Sequence, residues 1–131
     1  MVRRVLPLAT EIVVQDEGSV IPHHALVVGY DSYGREWAMD NAKGTNVSPR
    51  PLAQITRNRP FKIVRRQPAY SPAVIVQRAW QRRGQYYSAA GYNCQHFTSD
   101  CVTGKPKSET VRNLGVLAAV ALVAIAISRD E

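Results

Sequence analysis

Cys94 is the residue of this chain best placed to act as a nucleophile. It follows Asn93, a frequent helix-capping residue type, in a segment that ends before Gly104. This pattern predicts that the thiol lies in the first turn of a helix, where free backbone N–H groups and the helix dipole favour a thiolate. The same N–H groups can stabilise an oxyanion on an attacked carbonyl. The alternative is a buried structural cysteine.

A thiol nucleophile needs a base, and the chain offers His23, His24 and His96. His96 is two residues after Cys94 on the same predicted helix, and residues with that spacing do not face each other. His23 and His24 open a predicted strand and must point to opposite faces of its sheet. Only one of the two can therefore point at Cys94, and alternation alone does not say which.

A third group should orient the imidazole, and Asp40 and Asn41 are the candidates. They end the strand predicted to return after the histidine strand, and alternation again allows only one of them to face the ring. A purely structural or surface role is the alternative for these polar residues.

The elements that would position these groups are marked by local signals. Strands are predicted at Glu11–Val14, His23–Tyr30, Glu36–Asp40 and Phe61–Arg66, with a turn at residues 16–19 and a loop over residues 41–51. One helix should begin with Ser71 as N-cap and Pro72 in its first turn, and end before Gly84. A second should run from Asn93 to Gly104, and Ser108 should cap a last one. Strands followed by helices indicate an α+β fold.

Composition and charge narrow the class of protein. The 131 residues, 45% hydrophobic and 21% charged, are typical of one globular domain. A net charge of +7 favours an acidic membrane face or nucleic acid. Because no basic motif is interleaved with aromatic residues, we expect no nucleic-acid partner. We also expect no metal or cofactor.

The two cysteines, Cys94 and Cys101, are predicted to be free thiols in a reducing compartment. Seven residues along one helix separate them by about 10 Å, whereas a disulfide requires Cα atoms within about 7 Å.

The C-terminal segment is apolar. Leu114–Ile127 contains no charged residue and, as a helix, would span about 21 Å, less than the roughly 30 Å of a bilayer core. We therefore divide the chain into a catalytic domain, residues 1–112, and a hydrophobic tail, residues 113–131, which is a possible membrane anchor. The alternative is a helix packed on the domain or on a second subunit.

The segment from Tyr87 to Val111 resembles the cysteine motif of the lecithin–retinol acyltransferase-like family. That motif is Asn-Cys-Glu-His-Phe, preceded by a tyrosine and followed by a glycine and a serine. Tyr87, Asn93, Cys94, His96, Phe97, Gly104 and Ser108 stand at these positions. Gln95 replaces the usual Glu, which should matter little for the chemistry. The family's catalytic histidine lies six residues before a glycine, and His23, unlike His24, has that spacing to Gly29.

The resemblance implies a circularly permuted papain-like α+β fold, with a small antiparallel sheet packed against helices and a hydrophobic C-terminal helix. It also implies acyl transfer or phospholipase A-type hydrolysis of lipid acyl esters through an acyl-cysteine, with His23 as base, His24 as the fallback base, and Tyr87 as support for the oxyanion or pocket. The family commonly has a second His in the third position, where this chain has Asp40 or Asn41.

A cytoplasmic, membrane-associated protein is expected, with a phospholipid or other acyl ester as substrate. Two alternatives remain open at this stage. One is a cysteine peptidase or amidase. The other is a non-enzymatic, membrane-associated interaction module, because related picornaviral H-box/NC proteins share these motifs without an established enzyme role.

Overall fold

A five-stranded antiparallel sheet organises the molecule. The computed structural model describes residues 4–15 and 21–129. The strand order is β4-β3-β2-β1-β5, with β1 Glu11–Val14, β2 His23–Tyr30, β3 Glu36–Ala42, β4 Asn46–Pro51 and β5 Lys62–Ile63. The helices in this part of the chain are α1 Leu52–Thr56, α2 Pro72–Gln81, α3 Cys94–Thr103 and α4 Glu109–Arg129. The predicted α+β class is confirmed, and the permuted papain-like arrangement stays a prediction.

Each face of the sheet carries a hydrophobic cluster, because the central strand β2 is apolar on both sides. Leu26 and Val28 face α2 and α3, where they join Phe97 and Cys101 in one cluster. Ala25 and Val27 point the other way and pack with the α1 side chains Leu52 and Ile55, among others. The period of two along β2 thus puts His24 on the α3 side and His23 on the α1 side.

The predicted loop over residues 41–51 is wrong, since the chain continues as β3 to Ala42 and then forms β4. Pro49 and Pro51 argued against a strand there because proline has no N–H for a sheet ladder. β4 accommodates both because it is an edge strand, with only β3 as a neighbour. Helix α1, directly after β4, was not predicted.

The histidine strand and the cysteine helix have the predicted bounds. Ser71 caps α2 by accepting a hydrogen bond from the N–H of Val74 at 3.3 Å, and Gly104 ends α3 with a φ of +81°. The strand predicted at Phe61–Arg66 shortens to β5, which pairs only with Ile12 and Val13 of the short β1. The turn predicted at residues 16–19 lies outside the described residues.

Helix α4 contains most of the apolar tail and extends away from the domain. Ser108 accepts a hydrogen bond from the N–H of Val111 at 3.3 Å and so caps α4 as predicted. Every residue from 113 to 124 is exposed, including Leu114, Leu117 and Leu122. Within residues 4–15 and 21–129, no helix is both long enough and apolar enough to cross a bilayer.

Candidate active site

Cys94 is the first residue of α3, and a reciprocal cap holds that end of the helix. The Asn93 side chain accepts hydrogen bonds from the N–H groups of Gln95 at 2.8 Å and His96 at 3.2 Å. In return, Nδ1 of His96 accepts one from the Asn93 N–H at 2.9 Å. The Phe97 N–H bonds to the Asn93 carbonyl, which leaves the Cys94 N–H without a partner among the described residues. One first-turn donor therefore remains for an oxyanion.

His23 is the histidine that the fold brings to Cys94. Its Nε2 lies 2.6 Å from Oδ2 of Asp40, a fully buried carboxylate on β3. Burial alone lowers the pKa of His23, but hydrogen bonds and charge from Asp40 and Cys94 outweigh burial and raise it to about 9. With Nε2 engaged by Asp40, Nδ1 is the ring nitrogen left for the thiol.

The geometry at the start of β2 explains why a residue of α3 meets the histidine on the opposite face of the sheet. Cys94 is 3% exposed, and its Sγ donates a hydrogen bond to the carbonyl of Pro22, just before β2, at 3.4 Å. The thiol therefore lies beyond the first residue of β2, where it can reach around the end of the strand to His23.

Asp40 rather than Asn41 faces the imidazole. Asp40 lies on the α1 side of β3 with Ala38, the same side as His23. Asn41 points to the other side, where its Nδ2 donates to the Tyr92 carbonyl at 2.7 Å. Asn41 thus holds the segment that leads into Asn93, and it also lines the cleft at Cys94.

Arg50 is a member of the site that the sequence did not indicate. It lies on β4, and its Nη2 donates to Oδ2 of Asp40 at 2.5 Å, the same oxygen that His23 contacts. The sequence predicts a loop over residues 41–51 and therefore does not indicate this contact. In the structure, the β3–β4 register places Arg50 opposite Ala38. Asp40 therefore stands between two cationic groups when His23 is protonated.

His24 and Tyr87 occupy different environments. His24 Nδ1 lies 2.9 Å from Oε2 of Glu11, which also accepts hydrogen bonds from Arg66, so the fallback base is engaged on the far face of the sheet. Tyr87 lies with Cys94 in the cleft described below. Burial raises the pKa of the Tyr87 phenol, and the negative charge of a Cys94 thiolate raises it further.

The site opens into a cleft of about 340 Å³. His23, Cys94 and Tyr87 line it together with the cationic side chains of Lys43, Arg50, Arg57 and Arg59. Among the described residues, no group of three or more His, Cys, Asp or Glu side chains is arranged to hold a metal ion. The arrangement provides a thiol, a histidine bonded to a carboxylate, and a free N–H donor at one place.

Cys101 contrasts with Cys94 as a thiol. Both cysteines are free and buried. Cys101 lies in the α3 core, where burial raises its pKa to about 12 and keeps it as a neutral thiol at physiological pH. Only Cys94 has a histidine beside it.

The comparison with protein families gives one match. The family model described as lecithin retinol acyltransferase matches residues 12–107, a range that includes His23, Asp40 and Cys94. A search of curated proteins found no match.

Proposed function

This chain belongs to the lecithin retinol acyltransferase family, as its motifs predict, and we propose that it is a thiol-dependent acyltransferase or phospholipase A-type hydrolase of lipid acyl esters. The observation that carries the proposal is the contact of His23 with both Asp40 and Cys94 at the start of a helix. This arrangement has the geometry of a nucleophile, a base and an orienting group.

In the first half of the reaction, the proton of the Cys94 thiol passes to Nδ1 of His23, and Sγ attacks the ester carbonyl. The Cys94 N–H donates to the oxyanion that forms. As the tetrahedral intermediate collapses, the C–O bond breaks and the alcohol leaves with the proton of His23. The product is an acyl-cysteine thioester.

In the second half, water or an amine or alcohol acceptor loses its proton to His23 and attacks the thioester. The C–S bond breaks and Cys94 recovers its proton from His23. Asp40 holds the ring through Nε2 in both steps, and Arg50 holds Asp40. Tyr87 lines the cleft where the acyl group must lie.

Membrane association through α4 is a second part of the proposal. The exposed apolar residues of α4, such as Leu114, Leu117 and Val120, would be covered by the acyl region of a membrane. A short apolar helix of this kind can insert partly and hold the domain near its lipid substrate. The free cysteines are consistent with the reducing cytoplasmic side.

The test is detection of the acyl-enzyme. The full chain is incubated with a phospholipid in mixed micelles and examined by intact-mass spectrometry, with fatty-acid release followed in parallel. We expect a hydroxylamine-sensitive acyl adduct that persists in Cys101→Ala and is absent from Cys94→Ala. A folded wild-type protein that gives neither adduct nor fatty acid would overturn the proposed activity. Cleavage of a peptide substrate that depends on Cys94 would instead support a peptidase.

A further inference from the structure

A second cavity lies on the opposite side of the sheet from the candidate active site. It has a volume of about 820 Å³ and lies between α3, the segment after it and the first turn of α4. We call it the α3–α4 groove. His24 lines it, whereas His23 and Cys94 line the other cleft, so the two cavities are distinct.

The α3–α4 groove is strongly basic. Its lining includes Arg65, Arg66, Lys105, Lys107 and Arg112, with Glu109 as the only carboxylate among the described residues. Arg66 is neutralised by Glu11. The other four cations make no ion pair within the described part of the chain, and their charges therefore remain available to an anionic ligand.

A buried histidine adds a directional donor to this groove. His96 is 7% exposed and lines the groove. Its Nδ1 accepts the Asn93 N–H at 2.9 Å, and burial lowers its pKa, so the neutral ring carries its proton on Nε2. In residues 4–15 and 21–129, this Nε2–H has no hydrogen-bond partner. A neutral N–H donor beside several cations is suited to an anionic oxygen.

The location of the groove indicates where that oxygen comes from. Ser108, Glu109 and Arg112 border it, and the exposed apolar part of α4 begins at Leu114. If α4 lies in the acyl region of a membrane, the rise of about 3 Å along the helix from Arg112 to Leu114 places the groove directly beside that region. This is the level of lipid phosphates.

We propose that the α3–α4 groove binds the phosphate of an anionic phospholipid headgroup at the membrane surface. Lys105, Lys107, Arg112 and the Nε2–H of His96 form the site. The inference depends on the proposed membrane seating of α4 and not on the acyl-transfer chemistry. Lipid bound there is separate from the substrate, because Cys94 lies in the other cleft.

Vesicle flotation of the full chain tests the charge of the groove. Neutral phosphatidylcholine vesicles are compared with vesicles that also contain phosphatidic acid. We expect Lys105→Ala/Lys107→Ala to lower the partition onto anionic vesicles by roughly tenfold or more, with binding to neutral vesicles unchanged. Lys62→Ala/Arg83→Ala removes the same charge from exposed positions outside the groove and should keep the anionic preference. An equal loss in both variants would overturn a specific site.

Nuclear magnetic resonance of the His96 ring tests the site directly. A soluble short-chain phosphatidic acid should shift the Nε2 resonance, and the shift should be lost in Lys105→Ala/Lys107→Ala. The same shift with inorganic phosphate at equal affinity would assign the groove to a soluble anion and overturn the lipid proposal, as would no shift at all. A shift without flotation would show binding of the free lipid only and would overturn binding at a membrane surface.

Discussion

The charge of Asp40 strongly affects the protonation state of His23. The imidazole is largely buried, and burial alone favours the neutral ring. The carboxylate at 2.6 Å, together with Cys94, reverses that preference and keeps the proton on the ring. In the proposed reaction, His23 can therefore hold the proton that it takes from Cys94.

Replacement of Asp40 by Asn should lower the pKa of His23 from about 9, because the carboxylate no longer opposes burial and only Cys94 still raises that pKa. We expect kcat/KM to fall by about 100-fold or more, since a catalytic histidine loses both its orientation and its proton. Titration of the His23 ring by nuclear magnetic resonance, combined with rates, measures both effects. Asn41→Ala is the control for the titration alone, since Asn41 does not contact the ring and its loss should leave the pKa of His23 near 9. A His23 pKa that stays near 9 in Asp40→Asn would contradict the assignment.

The pKa of His23 also predicts how stability depends on pH. A folded-state pKa of about 9, above the ordinary 6.5, means that the ring contributes stability fully below pH 6.5. This contribution is lost as the pH rises through 9. The difference in free energy of unfolding between wild type and His23→Gln should therefore shrink from pH 6.5 to 9. Denaturant titrations at several pH values measure it, and a difference that is constant across this range would refute the ion pair.

Sequence reasoning singled out Cys94 and His23, which the structure brings together, but it did not find every residue of the candidate site. Cys94 follows from a helix-start signal, which is local and depends on few residues. The choice of His23 over His24 depends on which face of the sheet Cys94 reaches at the start of β2, and that is determined by tertiary structure. It came from the family spacing and not from alternation. Arg50 could not be found, because its role depends on the β3–β4 register.

At the scale of elements, the cap of α3 fixes the position of Cys94, the proposed nucleophile. Asn93 is fully buried, and its side-chain oxygen accepts hydrogen bonds from two backbone N–H groups. Its Nδ2 also donates to the carbonyl of Ala89 at 2.9 Å and to Ser108 Oγ at 3.1 Å. One side chain thus joins α3 to the segments on either side of it.

Asn93→Ala should lower the free energy of unfolding by about 2 kcal/mol, because an N-cap and further buried hydrogen bonds are lost together. Ser71→Ala is the matched control: this cap of α2 is exposed and makes one hydrogen bond, so its loss should cost about 0.5–1 kcal/mol. Chemical denaturation of both variants tests the difference. Equal losses would show that the Asn93 network adds nothing to a simple cap.

The helices and strands that are predicted correctly are those with strong local start and stop signals in the sequence. β2 has a continuous apolar run, and α3 lies between Asn93 and Gly104, so their bounds needed no tertiary information. β4 failed for the opposite reason. Its two prolines are tolerated only at a sheet edge, and the sequence does not say which strand is at the edge.

At the scale of the whole molecule, the domain and its tail meet at a small polar junction. Ser108 Oγ donates to Oε1 of Gln95 at 2.5 Å, and the same oxygen accepts the N–H of Thr110 at 3.2 Å. Gln95, which stands where the family has Glu, thus ties the start of α4 to the helix that carries Cys94. Insertion of α4 into a membrane would therefore act directly on the helix that carries Cys94.

The junction predicts where the chain can be cut. Residues 113–124 are all exposed, so a chain that ends at Arg112 should have a free energy of unfolding within about 1 kcal/mol of that of the full chain. The same chain should lose its binding to neutral vesicles. A chain that ends at Lys107 also lacks Ser108, so that Asn93 and Gln95 lose buried partners. We expect it to be about 1–3 kcal/mol less stable. Denaturation and flotation of the two truncated chains measure these effects. A large loss of stability in the chain that ends at Arg112 would mean that the tail packs on the domain. Unchanged flotation of that chain would remove α4 as the membrane contact.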